Sequence, residues 1–287
     1  MLSSCFFRTF AHMKQAMIFA AGLGTRLKPL TDMMPKALVK VGGEPLLKHV
    51  VLRLRAAGYT RMVVNVHHFA QQIVDYLQEN DTFGIDIRIS DEREALLETG
   101  GGIKKAIPLF SEESPVLIHN VDILDNVDYG WFSRQHLDEE DAVLLVSRRK
   151  TQRYLLFDNA MRLMGWVNVA TGEIKSPYEW IRTADKLEVD WDAMTCTLTN
   201  ASPLSPRTSP LVYNMFAFSG IHSFSPRLFP LMERFPERFP IMDFYLQTCH
   251  RAHIYGCIKD DLQLLDVGKI DSLQQAEQFI QSIHGPS

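Results

Sequence analysis

The chain has 287 residues, 46% hydrophobic and 22% charged, with a formal net charge of −4 at pH 7. That composition is ordinary for a folded protein with a substantial core. It excludes a protein built chiefly to coat nucleic acid, which needs a broad basic field. Cys5, Cys196, Cys249 and Cys257 form neither a Cys-x-x-Cys pair nor a Cys/His spacing suited to zinc. Reduced thiols are therefore expected rather than a metal cluster or a disulfide frame.

The opening MLSSCFFRTFAH reads as a feeble secretion signal, because Arg8 interrupts the apolar run and no small-residue cleavage site follows. Residues 1–13 are expected to be a disordered or non-native extension. No later run approaches the roughly 18 apolar residues of a membrane span, so a cytoplasmic protein that meets no membrane is expected.

From Met13 onward, strand-like and helix-like stretches alternate. KQAMIFAAG is a short apolar run ending in glycine, suited to a buried strand. EPLLKHVVLRLRAAG sets Leu46, Leu47, Val50, Val51, Leu54 and Ala57 at helical spacing and stops at Gly58. TRMVVNV is a second buried strand, FAQQIVDYLQEN repeats Phe69, Ile73 and Leu77 on one helical face, and GIDIRIS alternates as a third strand. TGGGIKKAIPLF opens on glycines and continues as a short helix. PVLIHNVDIL is an apolar strand running into a carboxylate. A helix around Tyr129 to Leu137 and a strand AVLLVS follow.

This rhythm predicts an α/β fold, a Rossmann-like, mixed but mainly parallel sheet flanked by helices. Ligands of such sheets sit at the carboxyl ends of the strands, which puts the Ala21–Arg26 loop, Asn65 and Asp122 along one edge. In the second half, residues 151–175 read as β-ribbon with turns at Asp158-Asn159 and Thr171-Gly172. Residues 176–211, rich in Ser, Thr and Pro, read as an inserted loop or lid with one short helix. VYNMFAFSGIHSF is again a strand, and helices are expected over Pro226–Arg234, Ile241–Arg251 and Asp271–Ile283.

Gly22 and Gly24, directly after a buried strand, suit a tight turn whose backbone N–H groups face an anion. Their spacing fits neither G-x-x-x-x-G-K-[ST] nor a full G-x-G-x-x-G, because Leu27 stands where the third glycine belongs. By themselves the glycines divide evenly between an ordinary strand-to-helix turn and a phosphate loop. Arg26 and Lys36 add a fork of donors and a point charge, the pair of functions a polyphosphate needs.

The run AAGLGTRLKPLTDMMPKALVKVGGEPLL resembles the signature of sugar-1-phosphate nucleotidyltransferases, approximately G-x-G-T-R-x-x-P-L-T followed by P-K-x-L. Gly22, Gly24, Thr25, Arg26, Pro29, Leu30, Thr31, Pro35, Lys36 and Leu38 all match, within about seventeen residues. ETGGGIKKAIPLF resembles the family's second glycine segment, and the resemblance covers residues 14 to 150. It points to the short forms, such as bacterial N-acetylmuramate-1-phosphate uridylyltransferases and mannose-1-phosphate guanylyltransferases.

The resemblance implies a nucleotide-diphospho-sugar transferase fold in a single domain, residues 14–287. Residues 14–150 would form the nucleotide-binding half and residues 151–287 the sugar-binding half. It implies a nucleoside triphosphate and a sugar 1-phosphate as partners, Mg2+ as cofactor, and an enzyme that is a monomer or small homo-oligomer. Ala21, Gly22, Leu23, Gly24 and Thr25 would hold the nucleotide, with Glu98 and Gly101 contributing from the second segment and Glu92 a further candidate. Arg26 would offset charge on the leaving pyrophosphate, and Lys36 would bridge the α-phosphate and the leaving group. Asp122 and Asp266 match the metal aspartates, both expected to end strands on one sheet edge. Asn120, Gly165 and Gly220 fall where relatives approach the sugar. A carboxylate facing the base would favour guanine, whereas backbone groups and an amide can hold uracil.

This chain also departs from the pattern. Val121 stands where glycine commonly precedes the first aspartate, Leu264 replaces an aromatic residue, and Lys269 replaces threonine. The Glu-Lys-Pro stretch whose lysine grips the sugar phosphate is missing, leaving Lys175 and Arg207 as substitutes that read more readily as solvated surface charges. His67-His68 has no third ligand at metal spacing, and SRRKTQR at residues 147 to 153 reads as a solvated strand end. Two other readings stay open: a cytidylyltransferase for phosphocholine or another non-sugar phosphate, and a nucleotide-binding homologue without turnover. A dinucleotide-dependent oxidoreductase fits less well, lacking the third glycine and an evident acidic ribose ligand.

Overall fold

The computed structural model describes residues 13–199 and 210–284. The expectations for residues 1–12 and for Arg207 lie outside the described residues.

The chain opens with β1 (Lys14–Phe19), which alternates Ala16 and Ile18 into one apolar cluster and Met17 into another. A strand buried on both faces needs such a continuous apolar run. After the glycine loop come a small ribbon of β2 (Lys40–Val41) and β3 (Glu44–Pro45), then α1 (Leu46–Ala56). This helix buries Leu46, Leu47, Val50, Val51 and Leu54 as one stripe. It ends where Gly58 takes a left-handed φ of +86° and its N–H reaches the Arg55 carbonyl. Next come β4 (Tyr59–Val66), α2 (Ala70–Glu79), β5 (Asp86–Asp91), α3 (Glu98–Ala106), β6 (Val116–Asn120) and β7 (Ile123–Asp125).

The remaining elements are α4 (Tyr129–Ser133), β8 (Ala142–Ser147), β9 (Arg153–Phe157), β10 (Leu163–Asn168), β11 (Glu173–Lys175), α5 (Glu179–Arg182), β12 (Lys186–Asp190), β13 (Thr195–Thr199) and β14 (Leu211–Phe224). α6 (Phe229–Met232), α7 (Ile241–Thr248), β15 (Ile254–Ile258), β16 (Leu264–Asp266) and α8 (Asp271–His284) complete the described chain.

The principal sheet runs β11-β10-β9-β14-β6-β1-β4-β5, with β8, β15, β12 and β13 branching from β14 and its neighbours. β6, β1, β4 and β5 pair in parallel, as does β15 with β8, whereas β14 pairs antiparallel with β6, β8, β9 and β13. β14 thereby joins the two halves. Its register with β8 shifts between Phe218 and His222, around Gly220 at φ +87°, and a glycine in that conformation lets one strand serve two sheet directions. One apolar cluster lies under α1 and α2 and takes in Ala276 of α8, and a second lies under α3, α6 and α7. This is the helix-flanked α/β arrangement the periodicities predicted.

Three expectations change. The part of the 176–211 segment that is described is not a loop with one short helix: after α5 it forms the antiparallel hairpin β12–β13, which pairs onto β14. KLEVD and TCTLT both alternate outward and inward, with Cys196 and Leu198 buried, and that period of two outweighs their polar composition. The helix around Tyr129 is shorter than expected, ending at Ser133, and α7 ends at Thr248 rather than Arg251.

Candidate functional site

The glycine loop is built on the end of β1. Asn65, at the end of β4, accepts the N–H groups of Ala20 at 2.7 Å and Ala21 at 3.3 Å with its side-chain oxygen, which fixes the chain as it leaves the sheet. Gly24 adopts φ +63°, and its carbonyl accepts from Leu27 N and Thr31 Oγ1, both at 2.8 Å. A Cβ at Gly24 would lie 2.7 Å from Thr31 Cγ2, so the turn excludes side chains by conformation and by space. Leu27, standing where a dinucleotide motif has glycine, is fully buried in the core beneath the loop. Gly22 has no atom within 4 Å of its Cβ position and opens onto a cavity of about 310 Å³.

That cavity is lined by Phe19, the loop residues Gly22, Leu23, Gly24, Thr25 and Arg26, and then Lys36, Leu96, Val121, Asp122 and Gly268. Ala21 is buried behind the loop and acts on it through the Asn65 bond. The structure thus brings together the loop, both expected cations and the first expected aspartate. Lys36 Nζ donates to Asp122 Oδ2, and Arg26 Nη2 lies 3.8 Å from Asp266 Oδ2. A Cβ at Gly268 would sit 2.6 Å from Asp266 Oδ1 and 2.9 Å from Arg26 Nη2, so glycine is what lets the chain pass between them.

Asp266 does not line the cavity itself, and it comes beside Arg26 by a route the sequence did not disclose. It does not end a strand of the principal sheet. β16 pairs with β7 as a separate two-stranded ribbon, with Asp266 opposite Ile123 and Leu264 opposite Asp125. Val267 N then donates to the Asp122 carbonyl at 2.8 Å, tying the two aspartates into one unit. Val121 is buried, its N–H donates to Phe19 O at 3.1 Å, and its φ is negative, so the position tolerates a residue other than glycine.

Beneath the ribbon lies a buried polar network that sequence reasoning missed. Asp125 is fully buried: Oδ1 accepts from Arg53 at 3.0 Å and from Val127 N at 2.8 Å, and Oδ2 accepts from Tyr129 at 2.7 Å and lies 3.1 Å from His119 Nε2. Burial alone would raise the Asp125 carboxyl, but His119 and the Arg53 guanidinium outweigh it and hold the group well below the usual carboxylate range. Burial lifts the Tyr129 hydroxyl well above its ordinary value. The network pins the far end of the ribbon that starts at Asp122. A second aspartate, in Leu124-Asp125, three residues after a metal-candidate aspartate is the only signal the sequence offered.

Glu92 is fully buried; it accepts from Asn65 Nδ2 at 2.7 Å and from Leu97 N at 3.3 Å. Burial pushes its carboxyl above the usual range, against the Asn65 and Leu97 bonds. Asn65 thus links the glycine loop to the segment carrying Leu96. Glu98 turns elsewhere, 3.0 Å from Arg238 Nε. A Cβ at Gly101 would meet Glu237 O at 2.1 Å, and the Gly100 and Gly101 N–H groups both bond Phe239 O. The second glycine segment is therefore a packing joint against residues 237–239, and neither Glu98 nor Gly101 lines the cavity.

Asn120 and Gly220 are neighbours: a Cβ at Gly220 would lie 3.1 Å from Asn120 Nδ2. Gly165 is further along the sheet, on β10, where a Cβ would lie 2.9 Å from the Lys175 carbonyl. Lys175 itself pairs with Glu173 at 3.5 Å and stands over the Trp166 ring. His67 bonds the Glu92 carbonyl and His68 makes a tilted ring contact with Phe69, so the two rings serve separate local contacts. Arg148, in the basic run, pairs with Asp260 over the Phe216 ring.

Among the described residues no cluster of three or more His, Cys, Asp or Glu side chains is arranged for a metal. Two carboxylates suffice for an ion such as Mg2+, which takes its other ligands from water and phosphate. Asp122 and Asp266 form an all-oxygen pair, and the lysine ammonium on Asp122 is a cation already seated on one of them. The residues therefore fit the ion.

The chain resembles known proteins in sequence and in fold. Residues 15–154 match the family model for nucleotidyl transferase. Over 111 residues the chain is 50% identical to the N-acetylmuramate alpha-1-phosphate uridylyltransferase of Caulobacter vibrioides, covering 38% of this chain and 46% of that one. Over 115 residues it is 43% identical to the protein of the same name from Neisseria meningitidis, covering 40% and 49%. The chain spans about half the length of the curated relatives it matches. A Bacillus anthracis protein described as a glucose-1-phosphate thymidylyltransferase shares the fold at TM-score 0.69 and 16% identity, over 96% of this chain and 98% of its own. An inositol-1-phosphate CTP transferase from T. maritima does so at TM-score 0.67 and 15% identity, over 94% and 96%. The glycine loop, Lys36 and Asp122 all lie inside the region that matches the nucleotidyl transferase family model.

Proposed function

We propose that this chain joins a nucleoside monophosphate, taken from a nucleoside triphosphate, to a sugar 1-phosphate. The products are a nucleoside diphosphate sugar and pyrophosphate. The observation that carries the reading is the convergence of Lys36, Arg26 and Asp122 on one cavity beneath the glycine loop, with Asp266 at its border 3.8 Å from Arg26. Two cations, two carboxylates and a backbone nest are the parts needed to hold a triphosphate and offset charge moving along it.

In this reaction a phosphate oxygen of the sugar 1-phosphate forms a bond to the α-phosphorus, and the α–β bridging oxygen departs with pyrophosphate. No proton transfer from carbon and no covalent enzyme intermediate are required. The chain's task is alignment and charge stabilisation. The loop N–H groups orient the triphosphate, Lys36 faces the α-phosphate and the departing oxygen, and Arg26 faces pyrophosphate. Asp122 and Asp266 would hold Mg2+, which when bound supplies charge neutralisation and polarises the phosphoryl oxygens. Residues 14–150 serve as the nucleotide half and residues 151–287 as the sugar half, with Asn120 and Gly220 at their seam.

For substrates, we favour UTP and an N-acetylmuramate-type sugar 1-phosphate. The two relatives named above support the sugar. For the base, Glu92 is committed to Asn65 and Leu97, and Glu98 to Arg238, so neither carboxylate is offered to guanine donors. Uracil, held by backbone groups and an amide, needs no such carboxylate. The three described cysteines are free, which suits the reducing cytoplasm, and no described helix is long and apolar enough to cross a membrane. A matrix of the four nucleoside triphosphates against several sugar 1-phosphates, read by pyrophosphate release with Mg2+ present, tests the reading. UTP with N-acetylmuramate 1-phosphate is expected to be fastest. Absence of pyrophosphate from every pair, phosphocholine included, would overturn the reaction; release with phosphocholine alone would overturn the sugar.

A further inference from the structure

Each cation assigned to phosphate rests on one of the carboxylates assigned to metal. Lys36 Nζ donates to Asp122 Oδ2, and the two side chains are only 10% and 23% exposed. Arg26 lies 3.8 Å from Asp266 Oδ2, with both side chains 60% exposed. An ammonium bonded to a carboxylate oxygen holds the position from which a divalent ion would be coordinated. Lysine carries a compact charge on a flexible four-carbon stem, so its ammonium can leave one anion for another without moving the backbone.

We infer that Lys36 and the divalent ion compete for Asp122, and that metal and triphosphate enter the site by a charge exchange. The ion takes the Asp122 carboxylate as Lys36 passes to the phosphate oxygens. The inference rests on the nucleotidyl-transfer reading above. Its physical basis is the cost of each half-step. Metal without triphosphate strips a mostly buried ammonium of its carboxylate, and triphosphate without metal sets Asp122 facing phosphate once Lys36 has turned away. A charge left unpaired in a partly buried place is expensive, so each ligand alone binds weakly. Together they exchange partners without leaving either charge unpaired. Metal and triphosphate are therefore positively coupled through Lys36, and by linkage the coupling is reciprocal. The Arg26–Asp266 contact, long and exposed, contributes little to this exchange.

The test needs no turnover and no choice of base. Mn2+ binding to the full chain is measured by electron paramagnetic resonance of the free ion, without nucleotide. Tripolyphosphate binding in EDTA is measured by calorimetry. Lys36→Met is expected to bind Mn2+ about tenfold more tightly than wild type, and Asp122→Asn to bind metal-free tripolyphosphate about tenfold more tightly. Arg26→Met should change the Mn2+ affinity by about twofold at most. Lys36→Gln stands beside Lys36→Met in case the apolar end disturbs folding, and circular dichroism checks each variant. If Mn2+ and tripolyphosphate bind but the Lys36 and Asp122 variants match wild type, the exchange is wrong while the site stands. If neither probe binds any folded variant, the exchange falls together with the reading beneath it.

Discussion

The backbone carbonyl of Asp122 accepts a hydrogen bond from Val267 N at 2.8 Å, and this bond sets Asp266 beside the strand that follows Asp122. Two carboxylates from opposite parts of the chain become one unit through a three-residue ribbon. Asp122→Asn and Asp266→Asn keep side-chain volume and remove charge, so each is expected to fold normally. Each should lose about 100-fold or more in pyrophosphate release, the scale for removing a charge-stabilising group from a site of this kind. Circular dichroism with initial rates checks both halves of the expectation, and near-normal rates in both variants would show that the chemistry lies elsewhere.

Gly268→Ala probes how tightly the second carboxylate and its arginine are placed. The new methyl would press on Asp266 Oδ1 and Arg26 Nη2 at 2.6 and 2.9 Å. Both are ends of exposed side chains that can yield, so stability should change by less than about 0.5 kcal/mol. A displacement of about an ångström at the reacting groups can cost on the order of 100-fold in rate. The expected result is unchanged melting with a turnover drop of about 10- to 100-fold; a rate within about twofold of wild type would mean that Gly268 does no positioning.

Arg53→Met tests the buried network under the ribbon. Removing the guanidinium leaves Asp125, fully buried, without its arginine partner. The expected loss is about 3 to 5 kcal/mol, or a melting temperature lowered by roughly 10 °C for a chain of this size. Adding Asp125→Asn to Arg53→Met removes the stranded charge and should recover part of the loss. A double variant no more stable than Arg53→Met would argue that lost packing over the Tyr129 ring, not charge, dominates.

The parallel half of the fold was legible because its strands and helices carry clean periods, as β1 and α1 show. The glycine loop was legible because Arg26 and Lys36 stand at fixed distances from Gly24. Asp266 was legible as a residue but not as a position, since the β7–β16 ribbon is three residues per strand and pairs across a long separation. No local pattern encodes such pairing. Asp125, and the partners of Asn65 at the sheet edge, were hidden for another reason. A buried polar side chain looks like any surface polar residue until its partners, Arg53 and Glu92, are brought to it by tertiary structure. The β12–β13 hairpin was missed where composition was weighed above alternation. Glu98 and Gly101 show the reverse case, a motif match that the fold sets against Arg238 and Glu237 and outside the cavity lining.

His222 offers a pH readout that does not involve the site. It is buried against Tyr245, 2.7 Å from its hydroxyl, and burial pulls its pKa down to about 3. In the unfolded chain a histidine titrates near 6.5. Between these values the unfolded state binds the extra proton, so stability rises with pH, and acid removes it below about 6.5. Going from pH 7 to pH 5 should cost about 2 kcal/mol through this group. Denaturant melts of wild type and His222→Gln at both pH values isolate the term as the difference between their slopes, and equal slopes would remove His222 from the account.

Asn65→Asp should reverse the sign of that dependence. Asn65 Nδ2 donates to Glu92 Oε1 at 2.7 Å in a fully buried setting, and the substitution puts a second carboxyl where the donor stood. Burial already pushes the Glu92 carboxyl above its usual range, and two carboxyls that close can keep their contact only by sharing a proton. The folded state of the variant therefore holds a proton that the unfolded chain releases near pH 4. Its contribution is present below that value and is lost as pH rises through the raised folded value. The variant should be least stable at neutral pH and gain relative to wild type as pH falls toward 5. Because the same amide receives the N–H groups of Ala20 and Ala21, the loop should loosen in parallel, raising KM for the nucleotide more at pH 8 than at pH 6. A variant whose stability and KM follow the wild-type pH course would show that Glu92 and residue 65 are not coupled and that the loop is held by other means.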